Sequence, residues 1–191
     1  MLTCTDTAAG ERLLDRCPVD LSGRLFCVCL REIIPVLYER YHLTEARGCY
    51  QAYYTQGVPL TVPKDFNIRR LDVSFAEEIF AEYHELVTLE ELKERLKARA
   101  MYGAFVTSEQ GEEKLAGFIG THSEGALGML QVRPQYRGHG IGAALESFLI
   151  NQALTRGEIP FGHIFEGNEA SLRLQKKLKL NVTDVVLWWV S

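Results

Sequence analysis

The sequence predicts an α/β fold, a mixed and mostly antiparallel sheet with helices on both faces. Three observations predict it. From residue 67 onward strand-like and helix-like segments alternate, and the helical ones carry their own start signals. Two apolar runs, 102–106 and 115–120, stand at the spacing of a hairpin. A third run, 126–132, passes through a glycine-rich turn straight into a helix.

The first 66 residues read as a small module of their own. Residues 21–41 are an apolar stretch that fits a strand, a helix, or one after the other, with Pro35 marking an interruption. Tyr50-Gln51-Ala52-Tyr53-Tyr54-Thr55, turning at Gln56-Gly57 into residues 58–62, reads as a strand pair. Gly57, Pro59 and Pro63 break the pattern and place a boundary near residue 66, leaving 67–191 as the second domain. There, residues 67–71 make a short strand. Ser74 with Glu77, and Thr88 with Glu91, each have the spacing of a capping box, and each opens a helix. Phe75, Ile79, Phe80 and Tyr83 line the first helix, and Leu89, Leu92 and Leu96 the second. The hairpin follows, joined by the polar turn Ser108-Glu109-Gln110-Gly111. After the glycine turn, Ile141, Leu145, Phe148 and Leu149 share one helical face, with Gly157 near the stop. A strand at 159–165, a helix capped by Asn168 and a last strand at 184–190 complete the order.

The bulk numbers narrow the function. Hydrophobic residues make up 47% and charged residues 24% of the 191, which excludes a disordered or fibrous chain. The net charge of -4 disfavours nucleic acid as a partner. Residues 1–10 lack a basic start followed by an apolar core, and no apolar stretch is long enough to span a membrane, so the expected compartment is the cytoplasm. Five cysteines, Cys4, Cys17, Cys27, Cys29 and Cys49, cannot all pair within one chain and are expected as reduced thiols. Cys27-Val28-Cys29 with His42 lacks the paired spacings of a zinc site, and no metal is expected.

The glycine turn carries the chemistry. In Gln135-Tyr136-Arg137-Gly138-His139-Gly140-Ile141-Gly142-Ala143, alternate glycines stand between a strand and a helix N-terminus. Free backbone N–H groups and the helix dipole there favour an anion, so a phosphate site is expected. A nucleoside-triphosphate loop needs Lys-Ser/Thr after its last glycine, and Ala143-Ala144 stand there instead. Gly138-x-Gly140-x-x-Ala143 matches the dinucleotide fingerprint, but that scheme needs an acidic residue ending the next strand, and Glu158 precedes its strand.

Val132-Arg133-Pro134-Gln135-Tyr136-Arg137-Gly138-His139-Gly140-Ile141-Gly142 closely resembles the acyl-CoA loop of the GNAT superfamily of N-acetyltransferases. Gly167-Asn168-Glu169-Ala170-Ser171, with Leu172-Arg173-Leu174-Gln175-Lys176-Lys177-Leu178 after it, resembles the family's Asn-x-x-Ala/Ser helix, and its wording is most similar to the glycine N-acyltransferase branch. The resemblance covers about two thirds of the chain, from residue 67 to 191. It implies that Arg137, Gly138, His139, Gly140, Ile141 and Gly142 hold the pyrophosphate of acetyl-CoA. It further implies that Gln131 and Val132 pair with the pantetheine arm, and that Asn168 and Ser171 flank the coenzyme. It also implies a sheet split near Val132 and His163, and direct transfer of acetyl to an amine acceptor. For residues 1–66 two roles stay open, acceptor choice and homodimer contacts.

Two positions depart from the family pattern. The usual Gly-Phe after the helix is Lys179-Leu180. The position seven after Asn168, often a tyrosine that protonates the leaving thiolate, is Gln175, whose amide has no usable acidic proton. An acyl-CoA-binding module with little transferase activity is therefore the competing reading. Transfer also needs a base for the protonated amine. His163, five residues before Asn168 where some family members place a glutamate, comes first; Glu124, with His122 beside it, comes next, and Glu166 third.

Overall fold

Local sequence decides where each element begins in this computed structural model, which describes residues 1–63, 65–83, 87–107 and 111–191. The expected polar turn at 108–111 falls largely outside those residues. Asp6 opens α1 (Thr7–Asp15) by accepting the Ala9 N–H at 2.8 Å. The apolar stretch 21–41 resolves into β1 (Phe26–Val28) followed by a 3₁₀ turn and α2 (Ile34–Tyr41), with Pro35 in the first helical turn, where its missing N–H costs no hydrogen bond. Next come β2 (Ala46–Tyr53), β3 (Asn67–Arg70), α3 (Ala76–Tyr83), α4 (Leu89–Lys97), β4 (Met101–Thr107), β5 (Glu113–Thr121) and β6 (Leu127–Val132). The chain ends with α5 (Ile141–Thr155), β7 (Phe161–Phe165), α6 (Glu169–Lys177) and β8 (Asn181–Val190).

Two expectations are corrected. Residues 58–62 are not a strand. Pro59 has no N–H to offer a partner strand, and Asn151 replaces the ladder by giving its amide to Leu60 O and accepting Leu60 N–H, at 2.8 and 2.7 Å. Nor does Ser74 cap a helix. Asp72 does the capping, accepting Ser74 N–H at 2.8 Å to open a 3₁₀ turn from which α3 continues. The second capping box is present as expected: Thr88 Oγ1 accepts Glu91 N–H and Glu91 returns a carboxylate oxygen to Thr88 N–H.

The described chain forms two compact units. One comprises Met1–Ala52, His163–Leu172 and Val182–Ser191. In it β1 pairs antiparallel with β8, Phe26 opposite Val190, and the strands run β1-β8-β2-β7. Leu14, Phe26, Val28, Ile33, Leu37 and Val190 make its core, beside a smaller cluster of Cys27, Cys49 and Leu187. All five cysteines are free thiols, and burial pushes the Cys49 thiol up to about 12. Residues 1–52 thus share a core with the last strand of the chain.

The other unit, Tyr53–Gly162 with Arg173–Asn181, carries the strands β6-β5-β4-β3, with Phe161 and Gly162 at the start of β7 beside β6. The pairs β3–β4, β4–β5 and β5–β6 are antiparallel and β6–β7 is parallel. Strand alternation sends Met101 and Phe118 to one face, where Ile79, Leu92 and Leu96 of α3 and α4 cover them. Their neighbours Tyr102 and Gly117 face α5, with Phe148 edge-on to Tyr102 at 5.0 Å and Ile141 against Gly117. The sheet thus has helices on both faces, as the sequence predicts. No helix among the described residues is long and apolar enough to cross a membrane.

Candidate coenzyme site

The end of β6 sets the geometry of the candidate site. Strand β6 leaves regular pairing with β5 at a bulge, where Met129 and Leu130 stand opposite Ile119 and Met129 takes a left-handed φ of 52°. On its other side β6 meets β7 at a single pair, Leu127 opposite Gly162. There the Leu127 carbonyl lies 2.7 Å from where a Cβ on residue 162 would sit, so glycine is needed for the two backbones to meet. The rest of β6, through Gln131 and Val132, has β5 as its only paired neighbour among the described residues.

Arg133 fixes the exit of the strand. Its guanidinium donates to Glu82 at 2.8 Å, to Glu78 at 2.6 Å and to the Leu115 carbonyl at 2.7 Å, tying the loop to α3 and β5. A cleft lined by Glu82, Gln131, Arg133, Pro134 and Gln135 lies at this exit. A 3₁₀ turn over Pro134–Tyr136 then leads into the glycines. Arg137 folds back so that its Nε donates to Val132 O at 3.0 Å, and His139 Nδ1 lies 3.3 Å from Tyr136 O.

Gly140 is the N-cap of α5, at φ 84°, and no side chain caps the helix. The first N–H groups of α5, from Ile141 and Gly142 onward, therefore have no intrahelical acceptor and no capping side chain. Gly138, at φ 82°, has the same left-handed conformation, and a Cβ at either residue would meet nothing within 4 Å. Gly142 differs. Its φ is not positive, and a Cβ there would make only ordinary contacts, 3.6 Å to Val132 and 3.8 Å to Leu174. The protein's own packing does not need glycine at 142. A ligand drawn against the backbone would.

Two side-chain contacts at β6 escape sequence reading, one of them made by His122, which the sequence offers beside Glu124 as a candidate base. Tyr83, assigned from its period to the apolar face of α3, places its phenol oxygen on the Met129 N–H at the bulge, stacks edge-on against Phe118 at 6.0 Å, and has its pKa raised by burial. His122 lies over Gly128, its Nε2 2.5 Å from where a Cβ would sit. Burial pulls its pKa down, against the opposing pull of Glu124. Glu124 itself is exposed in the turn that leads into β6, with the Ser123 hydroxyl 3.4 Å from its carboxylate. No period or motif marks either contact, and that of Tyr83 depends on the bulge at Met129.

His163, Glu166, Asn168 and Ser171 belong to the other unit. His163 is half-buried on β7 and packs edge-on against Trp189 of β8 at 5.5 Å. Asn168 accepts the Ser171 N–H at 3.0 Å and so caps α6, which brings these two predicted residues together. Glu166 lies exposed over Gly48. In the same unit as the glycine loop, Arg173, Lys176 and Lys177 are exposed, whereas Gln175 is buried and donates to Glu146 of α5 at 2.7 Å.

A helix N-terminus without a capping side chain, two glycines in left-handed geometry and the end of β6 paired on one side stand together here, and free N–H groups at a helix N-terminus favour an anion. Comparisons with known proteins agree with the architecture. A Drosophila protein of known structure is 21% identical, with a TM-score of 0.75 over 97% of this chain and 66% of its own. A GNAT-family protein from Novosphingobium aromaticivorans is 19% identical, with a TM-score of 0.60 over 78% of this chain and 65% of its own. A GCN5-related N-acetyltransferase-like protein from Streptococcus suis is 16% identical, with a TM-score of 0.56 over 95% of this chain and 76% of its own. The chain spans about two thirds of the length of the first two. None of the curated proteins compared matches the sequence. Residues 101–189 match the family described as FR47-like protein, on a chain whose fold is that of the GNAT acetyltransferases.

Proposed function

We propose that the protein is an acyl-CoA-dependent N-acyltransferase that moves an acetyl group from acetyl-CoA to an amine, in the branch similar to the glycine N-acyltransferases. The uncapped N-terminus of α5, with Gly142 free of any packing requirement, carries the reading. Arg137, Gly138, His139, Gly140, Ile141 and Gly142 hold the pyrophosphate, Gln131 and Val132 the pantetheine arm, and Asn168 and Ser171 flank the coenzyme. The deprotonated amine attacks the thioester carbonyl, the C–N bond forms, and the C–S bond breaks to release the thiolate. His163 takes the amine proton, with Glu124 and the neutral His122 as the second arrangement. Residues 1–66 bear on acceptor choice or homodimer contacts.

Acetyl-CoA should raise the melting temperature progressively with its concentration, by about 2.7 kcal/mol of stability at a hundredfold excess over Kd, and a panel of amines should release free thiol. No thermal shift and no calorimetric heat at millimolar coenzyme would refute the reading. A second reading, coenzyme binding without efficient transfer, draws on Gln175, whose amide is spent on Glu146 and has no acidic proton. Coenzyme binding with no thiol release from any amine would favour it.

A further inference from the structure

Glu146 and Gln175 are the most deeply buried long polar side chains among the described residues, 6% and 5% exposed, and they face each other. The Gln175 amide donates to Glu146 Oε1 at 2.7 Å. The other two oxygens, Glu146 Oε2 and Gln175 Oε1, have no hydrogen-bond partner among the described residues. An ionised Glu146 would leave both as acceptors without a donor in an apolar interior, an arrangement that costs several kcal/mol. One proton on Oε2 changes the count, because a carboxylic acid both donates and accepts. Such a proton closes a ring of two hydrogen bonds with the side-chain amide and serves both oxygens at once. Glu146 sits in the second turn of α5, behind the glycine loop, and Gln175 in the last turn of α6.

We propose that Glu146 is a neutral carboxylic acid in the folded protein and forms a two-hydrogen-bond latch with Gln175 that joins α5 to the end of α6 and opens as the proton is lost. Desolvation, opposed only by the Gln175 amide, pushes the Glu146 carboxyl up to about 7, and no charged side chain contributes. The direction of the pH effect follows. Between pH 4.5 and about 7 the folded state binds the proton and the unfolded state does not. The stabilising effect is therefore complete below pH 4.5 and is lost as pH rises through about 7.

Glu146→Gln tests the latch without coenzyme, so its outcome is separate from that of the proposed activity. A glutamine keeps the shape and supplies a permanent N–H in place of the acid proton. The variant and the parent should have the same unfolding equilibrium near pH 4. Near pH 8 the variant should be more stable, by roughly 10²-fold in that equilibrium. The infrared carbonyl band of a protonated carboxylic acid should appear in the parent at pH 6 and vanish in Glu146→Gln. The band is also readable in the parent alone should the variant fail to fold, by its loss on raising the pH through neutrality. A stability difference that does not change with pH, or the absence of that band at pH 6, would overturn the proposal.

Discussion

Helices α4 and α5 begin in opposite ways. At α4, Thr88 and Glu91 exchange side-chain hydrogen bonds with each other's backbone, so the first turn is closed by its own sequence. At α5, a left-handed glycine stands at the same position and no side chain reaches the free N–H groups. Helix α6 resembles α4, with Asn168 holding the Ser171 N–H. A cap is worth about 1 kcal/mol, and α5, with Ile141, Ala144, Leu145, Leu149 and Ile150 buried, does not depend on one for stability. Packing stabilises α5 from its sides and leaves its end without a capping side chain, whereas α4, short and charged on its outer face, is closed locally.

The contrast can be broken most severely at Gly140. Gly140→Asp places a carboxylate at the open end, where repulsion of a diphosphate at close range amounts to about 4 kcal/mol at an effective dielectric near 20, so coenzyme affinity should fall by more than about 10²-fold. Calorimetric titration with acetyl-CoA, alongside circular dichroism to confirm folding, measures it. Binding can be separated from chemistry at His163: His163→Ala should lower kcat by about 10²-fold while coenzyme Kd holds, as read from steady-state kinetics and titration. Near-normal turnover would move the base to Glu124 with His122.

Gly142→Ala is the sharper probe though the smaller effect. Because the added methyl meets only atoms at 3.6 Å and beyond, the free protein should be as stable as the parent or slightly more so, while coenzyme affinity drops about tenfold. The smallest effect is expected at the closed helix. Thr88→Ala should cost about 1 kcal/mol of stability in a denaturant melt and leave coenzyme affinity unchanged.

The sequence disclosed these helix starts unevenly, for physical reasons. Thr88-x-x-Glu91 and Asn168 announce themselves because capping is a contact within four residues, and the glycine turn does so because left-handed geometry restricts residue choice. Ser74 misled because Asp72, two residues earlier, accepts Ser74's own N–H and hydroxyl, which puts Ser74 inside the turn instead of at its cap. Residues 58–62 have the alternation of a strand, yet a single distant residue, Asn151, decides their conformation. The candidate coenzyme loop was legible in the same local way. The bond of Tyr83 to Met129 and the burial of Glu146 were not, since each owes its environment to residues remote in sequence, and a glutamate in a helix is ordinarily a surface residue.

The central claim, that the open end of α5 holds the coenzyme phosphates, is tested most directly by following backbone amide resonances while acetyl-CoA is added. The amides of residues 138–143 should shift saturably with a common Kd, and those of residues 89–91 at the closed start of α4 should not move. Saturable binding that leaves the amides of 138–143 in place would contradict the account.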